Sequence, residues 1–331
     1  MKKFESCGYI EHGMVLDHCN IIRHCNNFNP RYDGRPIIYE NYKGQKIDWK
    51  EFFEIKRNLR KLFRENSCPK QCTECVGIAY KEWDDDDYID YLLLTPWVPC
   101  NSKCIYCEAP RNEHVLKNTK IYKILPLIKD MIRNKILIKE ATIDFAGGEP
   151  TIYSEFESLL NEFIRNDYKK IIVHTNAIKK SRSVIKGLKK GCVRVLVSID
   201  AGSKEMHKKI KQVNSYDSVW NNLKEYAKNQ PKDADFVKAK YIIVPEVNDS
   251  EQEINIWLNR CKEINIKSVV LNLDFNWIMK NVDGNLLPIY NLMKYTQKRA
   301  KELGINCELY GQIFQVKCEI EQSREENIAG F

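Results

Sequence analysis

The run Tyr91-Leu92-Leu93-Leu94-Thr95-Pro96-Trp97-Val98-Pro99-Cys100-Asn101-Ser102-Lys103-Cys104-Ile105-Tyr106-Cys107 decides the fold. Tyr91–Thr95 reads as a short apolar strand, and three cysteines follow it with gaps of three and two residues. One short loop can thereby wrap three thiolates around a cubane iron–sulfur cluster. A [4Fe–4S] cluster so held keeps one iron open to a small molecule, which points to chemistry more than to electron carriage. Zinc or reduced core thiols are the bland alternative, but zinc usually takes four ligands in paired CxxC spacing.

Outward from this loop, apolar strands alternate with amphipathic helices. Strands are predicted at Tyr91–Thr95, Thr142–Phe145, Ile171–Thr175, Val193–Ile199, Val237–Val244 and Ser268–Leu273. Helices are predicted at Tyr122–Arg133, Glu155–Arg165, Ser181–Lys190, Tyr216–Asn229 and Glu251–Ile264. Such βα repeats argue for an α/β fold with parallel strands. A further helix, Ile289–Leu303, and a closing strand, Asn306–Val316, complete a domain over residues 81–331. Residues 1–80 read as a small Cys-rich module in which helix Trp49–Glu65 leads into Cys68-Pro69-Lys70-Gln71-Cys72-Thr73-Glu74-Cys75. Cys7 to Cys19 reads there as a hairpin with a cysteine at either end.

Two more motifs join the cysteine loop. Ile143-Asp144-Phe145-Ala146-Gly147-Gly148-Glu149-Pro150-Thr151 places Gly-Gly-Glu at a strand end, and Val195-Leu196-Val197-Ser198-Ile199-Asp200 carries a polar strand tip. With an aromatic, Tyr106, just before the last cysteine, the set resembles the radical S-adenosylmethionine (radical SAM) superfamily. The resemblance implies a partial (β/α)6 TIM-like barrel with its reactive groups at the C-terminal strand ends. It implies that Cys100, Cys104 and Cys107 ligate the catalytic cluster, whose open iron chelates SAM. One electron then cleaves the S–C5′ bond, giving methionine and a 5′-deoxyadenosyl radical that takes a hydrogen atom from substrate. The implied SAM contacts are Tyr106 at the adenine, Gly147 and Gly148 where backbone approaches closely, and Glu149 at the amino group. Asn176 ends the third strand facing the site. Ser198 and Asp200, on one side of their strand, reach the ribose or carboxylate unless they cap the next helix. Lys238 and Lys240 are further candidates for the carboxylate, or solvated.

Cys7, Cys19, Cys25, Cys68, Cys72 and Cys75 form a second constellation. It is similar to the auxiliary-cluster modules (SPASM and twitch) of radical SAM enzymes, though it precedes the barrel where those follow it. An auxiliary [4Fe–4S] cluster is expected here, with structural zinc as the alternative and His12, His18 and His24 as spare ligands. Cys192, Cys261, Cys307 and Cys318 read as buried thiols.

The chain has 331 residues, 13 cysteines and a net charge of +8. The start lacks a signal-peptide core, and no apolar stretch approaches a membrane span, so a reducing cytoplasm and thiolates that serve metals are expected. The leading expectation is a radical SAM enzyme acting on a peptide, or oxidising or epimerising a small molecule, with a flavodoxin- or ferredoxin-like electron donor. RNA modification, using the positive charge, is a second possibility. A non-catalytic iron–sulfur electron-transfer or regulatory protein is the third.

Overall fold

The computed structural model describes residues 4–18, 21–25, 37–40, 46–65, 67–72, 75, 78–107, 123–280 and 285–311. It comprises two compact units, Met1–Pro99 with Asn112–Val173, and Cys100–Arg111 with His174–Phe331. The first unit thus runs through the boundary expected at residue 80.

In that unit β1 (Phe4–Ser6) pairs antiparallel with β5 (Ala79–Lys81). The hairpin expected from Cys7 is instead a one-turn helix, α1 (Gly8–His12), followed by strand β2 (Gly13–Asp17). β2 pairs in parallel with β6 (Ile89–Leu94). The reason lies in Met14, Val15 and Leu16, which are all buried. An unbroken apolar run suits a strand covered on both faces, not a free hairpin. Gly13 makes the corner, because a Cβ there would stand 2.6 Å from Tyr9 O and 2.7 Å from His24 O. Cys19 lies outside the described residues.

Strands β3 (Ile21–Arg23) and β4 (Ile37–Tyr39) continue antiparallel from β2. Helix α2 (Trp49–Arg64) starts at Asp48, whose carboxylate accepts the Lys50 and Glu51 N–H groups at 2.9 and 3.3 Å, a standard N-cap. Its inward face carries Phe52, Phe53, Lys56, Arg60 and Phe63.

Helix α3 (Leu125–Arg133), strand β7 (Leu137–Phe145) and helix α4 (Phe156–Arg165) follow, and strand β8 (Lys170–Thr175) leads out of the unit. Tyr122, the expected start of α3, is outside the described residues. β6, β7 and the first residues of β8 pair in parallel, with Leu94 opposite Phe145 and Phe145 opposite Val173. Their ends therefore lie level. Phe145, Phe156, Phe163 and Tyr168 fill the space beneath the α4 face, meeting edge to face.

The second unit alternates helices and strands: α5 (Arg182–Lys189), β9 (Val193–Ser198), α6 (Lys204–Lys211), α7 (Tyr216–Asn229), β10 (Val237–Ile243), α8 (Glu251–Glu263) and β11 (Ser268–Leu273). α9 (Phe275–Lys280), α10 (Leu287–Glu302) and β12 (Asn306–Leu309) close it. β9, β10, β11 and β12 are parallel neighbours. Ser181, Ser203 and Ser250 cap α5, α6 and α8 through their hydroxyls, which fixes where each strand-to-helix turn ends. β12 is shorter than the expected strand, whose residues 312–316 are not described. Cys192 and Cys261 are buried as expected and Cys307 is half-buried; Cys318 is outside the described residues. No helix among the described residues is long and apolar enough to cross a membrane.

Candidate functional site

The three-cysteine loop belongs to the second unit, where α6 and the β9 tip hold it. Lys103 and Ile105 donate their N–H groups to Lys211 O and Ile210 O at 3.0 and 2.9 Å, so the loop uses carbonyls that the end of α6 leaves without helical partners. Asp200, just past β9, adopts φ +61°, a left-handed conformation that Asp tolerates better than most residues. Its Oδ1 accepts the Ile242 N–H at 2.8 Å, and its Oδ2 accepts the Tyr106 hydroxyl at 2.7 Å. The Lys211 ammonium pairs with the same Oδ2 and donates to Tyr106 Oη at 3.1 Å.

The Lys211 and Asp200 side chains are 2% and 0% exposed. Burial opposes the Lys211 charge, but Asp200 and then Cys104 outweigh it and raise its pKa. Burial, then Asp200, holds the Tyr106 hydroxyl well above its usual range, so it stays a donor.

Asn176 completes the clamp. Its Nδ2 faces Asn101 Oδ1 at 2.7 Å, Ser102 Oγ at 3.3 Å and Cys100 Sγ at 3.6 Å, while its Oδ1 accepts the Ile178 N–H at 3.0 Å. Ser102 N–H also points to Cys100 Sγ, at 3.4 Å. These bonds join Tyr106, Asn176 and Asp200, the candidate nucleotide contacts, to the cysteine loop. Ser198 ends β9 opposite Lys240. Lys238 pairs with Glu308, and Lys240 lies 6.0 Å over the Tyr310 ring. Beside Cys107 a cleft of about 240 Å³ is lined by Tyr106, Asp274, Asn276, Trp277 and Lys280.

Lys211 is the residue that sequence reasoning missed. α6 reads Lys-Glu-Met-His-Lys-Lys-Ile-Lys, and only Ile210 marks the inward face on which His207 and Lys211 also lie.

The Gly-Gly-Glu turn belongs to the first unit. Gly147 has φ +82°, and a Cβ on Gly148 would lie 2.3 Å from Val98 O and 2.4 Å from Pro99 O. The bare Gly148 backbone therefore serves the chain as it enters Cys100, a role the sequence reading did not give it. Glu149 is buried; its N–H donates to Pro99 O at 2.9 Å, and its Oε1 accepts the Thr151 N–H and hydroxyl at 3.1 and 2.6 Å.

Among the described residues, the N-terminal cysteines Cys7, Cys25, Cys68, Cys72 and Cys75 also converge within the first unit. Cys7 and Cys72 pack with Ile10, Phe63 and Trp83, and Cys68 lies against them. Successive turns, Cys72 N–H to Pro69 O, Cys75 N–H to Cys72 O and Ile78 N–H to Cys75 O, fold the Cys68–Cys75 segment. Burial pushes the Cys72 thiol up to about 12, and Cys25, Cys7, Cys75 and Cys68 add to it. These five sulfurs are therefore electrostatic neighbours. Of the histidines named as spare ligands, His12 stacks on Tyr88, His18 bonds Asp17, and His24 is buried beside Lys56.

Both sets fit a cluster by donor chemistry. The first offers three thiols on one clamped loop with a buried cation beside Cys104 and Cys100, suited to an anionic cubane. Among the described residues, no three His, Cys, Asp or Glu side chains gather around a single-ion position.

Three thiols on one loop of an α/β chain are a donor set that suits an iron–sulfur cluster. The family model of the Radical SAM superfamily matches residues 95–257. The chain therefore carries a radical SAM domain, and that superfamily uses a [4Fe–4S] cluster and S-adenosylmethionine. It is similar to the GTP 3′,8-cyclase of Clostridium botulinum, 26% identical over 190 residues, covering 55% of this chain and 56% of that protein. The Clostridium acetobutylicum GTP 3′,8-cyclase is 27% identical over 184 residues, with 54% of each chain covered. This chain thus spans little more than half of those relatives. Among solved structures, Streptococcus suis SuiB bound to S-adenosylmethionine matches with TM-score 0.56 and 16% identity, covering 81% of this chain and 57% of that one. SuiB bound to its precursor peptide SuiA matches with TM-score 0.53 and 14% identity, covering 91% and 71%. These likenesses show the fold, the radical SAM partial barrel.

Proposed function

We propose that this chain reductively cleaves S-adenosylmethionine and abstracts hydrogen from a peptide substrate. The clamped loop carries the reading: Asn176 and Asp200 hold its side chains, and the Ile210 and Lys211 carbonyls its backbone, around Cys100, Cys104 and Cys107. When bound, the cluster and SAM supply one-electron cleavage of the S–C5′ bond, yielding methionine and a 5′-deoxyadenosyl radical. The chain's own residues orient the three thiolates, and the buried Lys211 offsets their charge. The family resemblance assigns the SAM amino group to Glu149 and the ribose or carboxylate to Ser198. A flavodoxin- or ferredoxin-like protein in a reducing cytoplasm supplies the electron. Cys7, Cys19, Cys25, Cys68, Cys72 and Cys75 hold an auxiliary [4Fe–4S] cluster.

The peptide is favoured by the SuiB–SuiA complex. A nucleotide substrate is the second reading, favoured by relatives whose name specifies GTP. The test is anaerobic, dithionite-reduced full chain with SAM, compared with the C100A/C104A/C107A variant. Release of 5′-deoxyadenosine by the wild type alone is expected; no release by the wild type overturns the reading. Adding GTP or a candidate peptide and following substrate-dependent turnover separates the two substrate classes.

A further inference from the structure

Helix α2 turns two cations into the first unit. The Lys56 and Arg60 side chains are both fully buried, one helical turn apart, on the face that also carries Leu59 and Phe63. Leu59 and Phe63 of this helix pack with Cys7, Cys68 and Cys72. Lys56 Nζ meets Gly13 O at 2.8 Å, Tyr9 O at 3.3 Å and His24 Nδ1 at 3.5 Å. No carboxylate among the described residues pairs with it. Arg60 pairs through Nε with Asp85 at 3.0 Å, and both its Nη atoms are buried without a hydrogen-bond partner. Trp83, packed among the cysteines, has a buried Nε1 that is likewise unpartnered.

Leaving a buried charged donor unmade costs more than most folds bear. Indole N–H groups are also orphaned at Trp97, Trp220 and Trp257; Trp83 differs in packing among the thiols, and Arg60 directly follows Leu59, which lies against them. The neighbouring thiols are the donor set of an anionic, acceptor-rich group. An iron–sulfur cluster presents sulfides that accept N–H groups, and it carries net negative charge, both of which set its potential. A zinc ion with four thiolates has no bridging sulfides to offer such donors.

We propose that Arg60 and Trp83 donate hydrogen bonds to the sulfurs of a second iron–sulfur cluster held by the N-terminal cysteines, and that Lys56 is its buried counter-charge. The inference rests on the reading that those cysteines hold a cluster, and it adds the groups that poise it. These are positioning residues: they act on the potential, not on the substrate.

The test uses full-length protein in the C100A/C104A/C107A background, reconstituted anaerobically, so that the remaining iron reports the second cluster alone. Iron and sulfide are quantified, and the midpoint potential is taken by spectroscopic redox titration. Arg60→Met is expected to keep the iron and lower the midpoint, with the reduced-to-oxidised ratio at fixed potential falling about tenfold, or about 59 mV for a one-electron couple. Trp83→Phe, which keeps the ring and removes one donor, shifts it the same way by less. Iron retained with an unmoved midpoint in Trp83→Phe and in whichever Arg60 variant folds overturns the inference and leaves the cluster standing. No iron retained, or zinc in its place, overturns the cluster reading and the inference with it.

Discussion

The Asp200 carboxylate serves three donors at once: Tyr106, Lys211 and the Ile242 N–H. Satisfied ion pairs of this kind specify one geometry more than they add stability, and here the geometry is that of the cysteine loop. The same buried lysine shapes its neighbour. Burial, and next the Lys211 charge, push the His207 imidazole down to about 4. In the unfolded chain it titrates near 6.5, so between these values the unfolded state binds a proton that the folded state refuses. Stability therefore falls as pH drops from about 6.5 toward 4 and levels off below. On the order of 2 kcal/mol should go between pH 6.5 and 5. Urea midpoints at those two pH values, for wild type and His207→Asn, check it: the wild type should lose more. Equal losses would mean that His207 is protonated in the fold.

At the level of elements, the tight contacts fall at turns. A Cβ on Gly148 would stand 2.3 Å from the Val98 carbonyl, whereas Gly8 has nothing within 4 Å. Gly148→Ala must displace backbone at the residues before Cys100, so a loss of about 3 kcal/mol in thermal or urea unfolding is expected, with lower iron content after reconstitution. Gly8→Ala should change both little. Comparable effects of the two would show that the turn yields freely.

The elements themselves were legible where burial alternates. β10 reads Val-Lys-Ala-Lys-Tyr-Ile-Ile with every second residue buried, and the period announces the strand. β2 was misread because both its faces are covered. Gly13-Met14-Val15-Leu16-Asp17 has no alternation to show, and its pairing with β6 is a tertiary fact. Lys211 was hidden for the opposite reason, one lysine among several on a helix whose other lysines point to water.

Across the whole molecule, the net charge of +8 reads differently once the buried members are located. Lys56, Arg60 and Lys211 are all buried; Lys56 lies near Cys7 and Cys25, and Lys211 near Cys104 and Cys100. Both cysteine sets stand out in the sequence by their spacing, but nothing there marks Lys56, Arg60 and Lys211 as buried, because a buried and a solvated lysine are spelled alike. On the proposed reading that both cysteine sets hold clusters, charges so placed make metal loading a term in folding. Without clusters, buried cations keep their desolvation cost with little to offset it; with clusters, that cost is compensated, and binding to the folded state alone adds stability by linkage. Anaerobically reconstituted protein should therefore melt well above metal-stripped protein. Removing one cation should narrow the gap from below: in Arg60→Met the stripped form gains, because an orphaned guanidinium is gone, while the loaded form loses its donors. Paired thermal scans of stripped and loaded wild type and Arg60→Met read this directly. A gap that is the same in both proteins would mean that Arg60 does not sense the metal, and that its burial serves only the packing of α2.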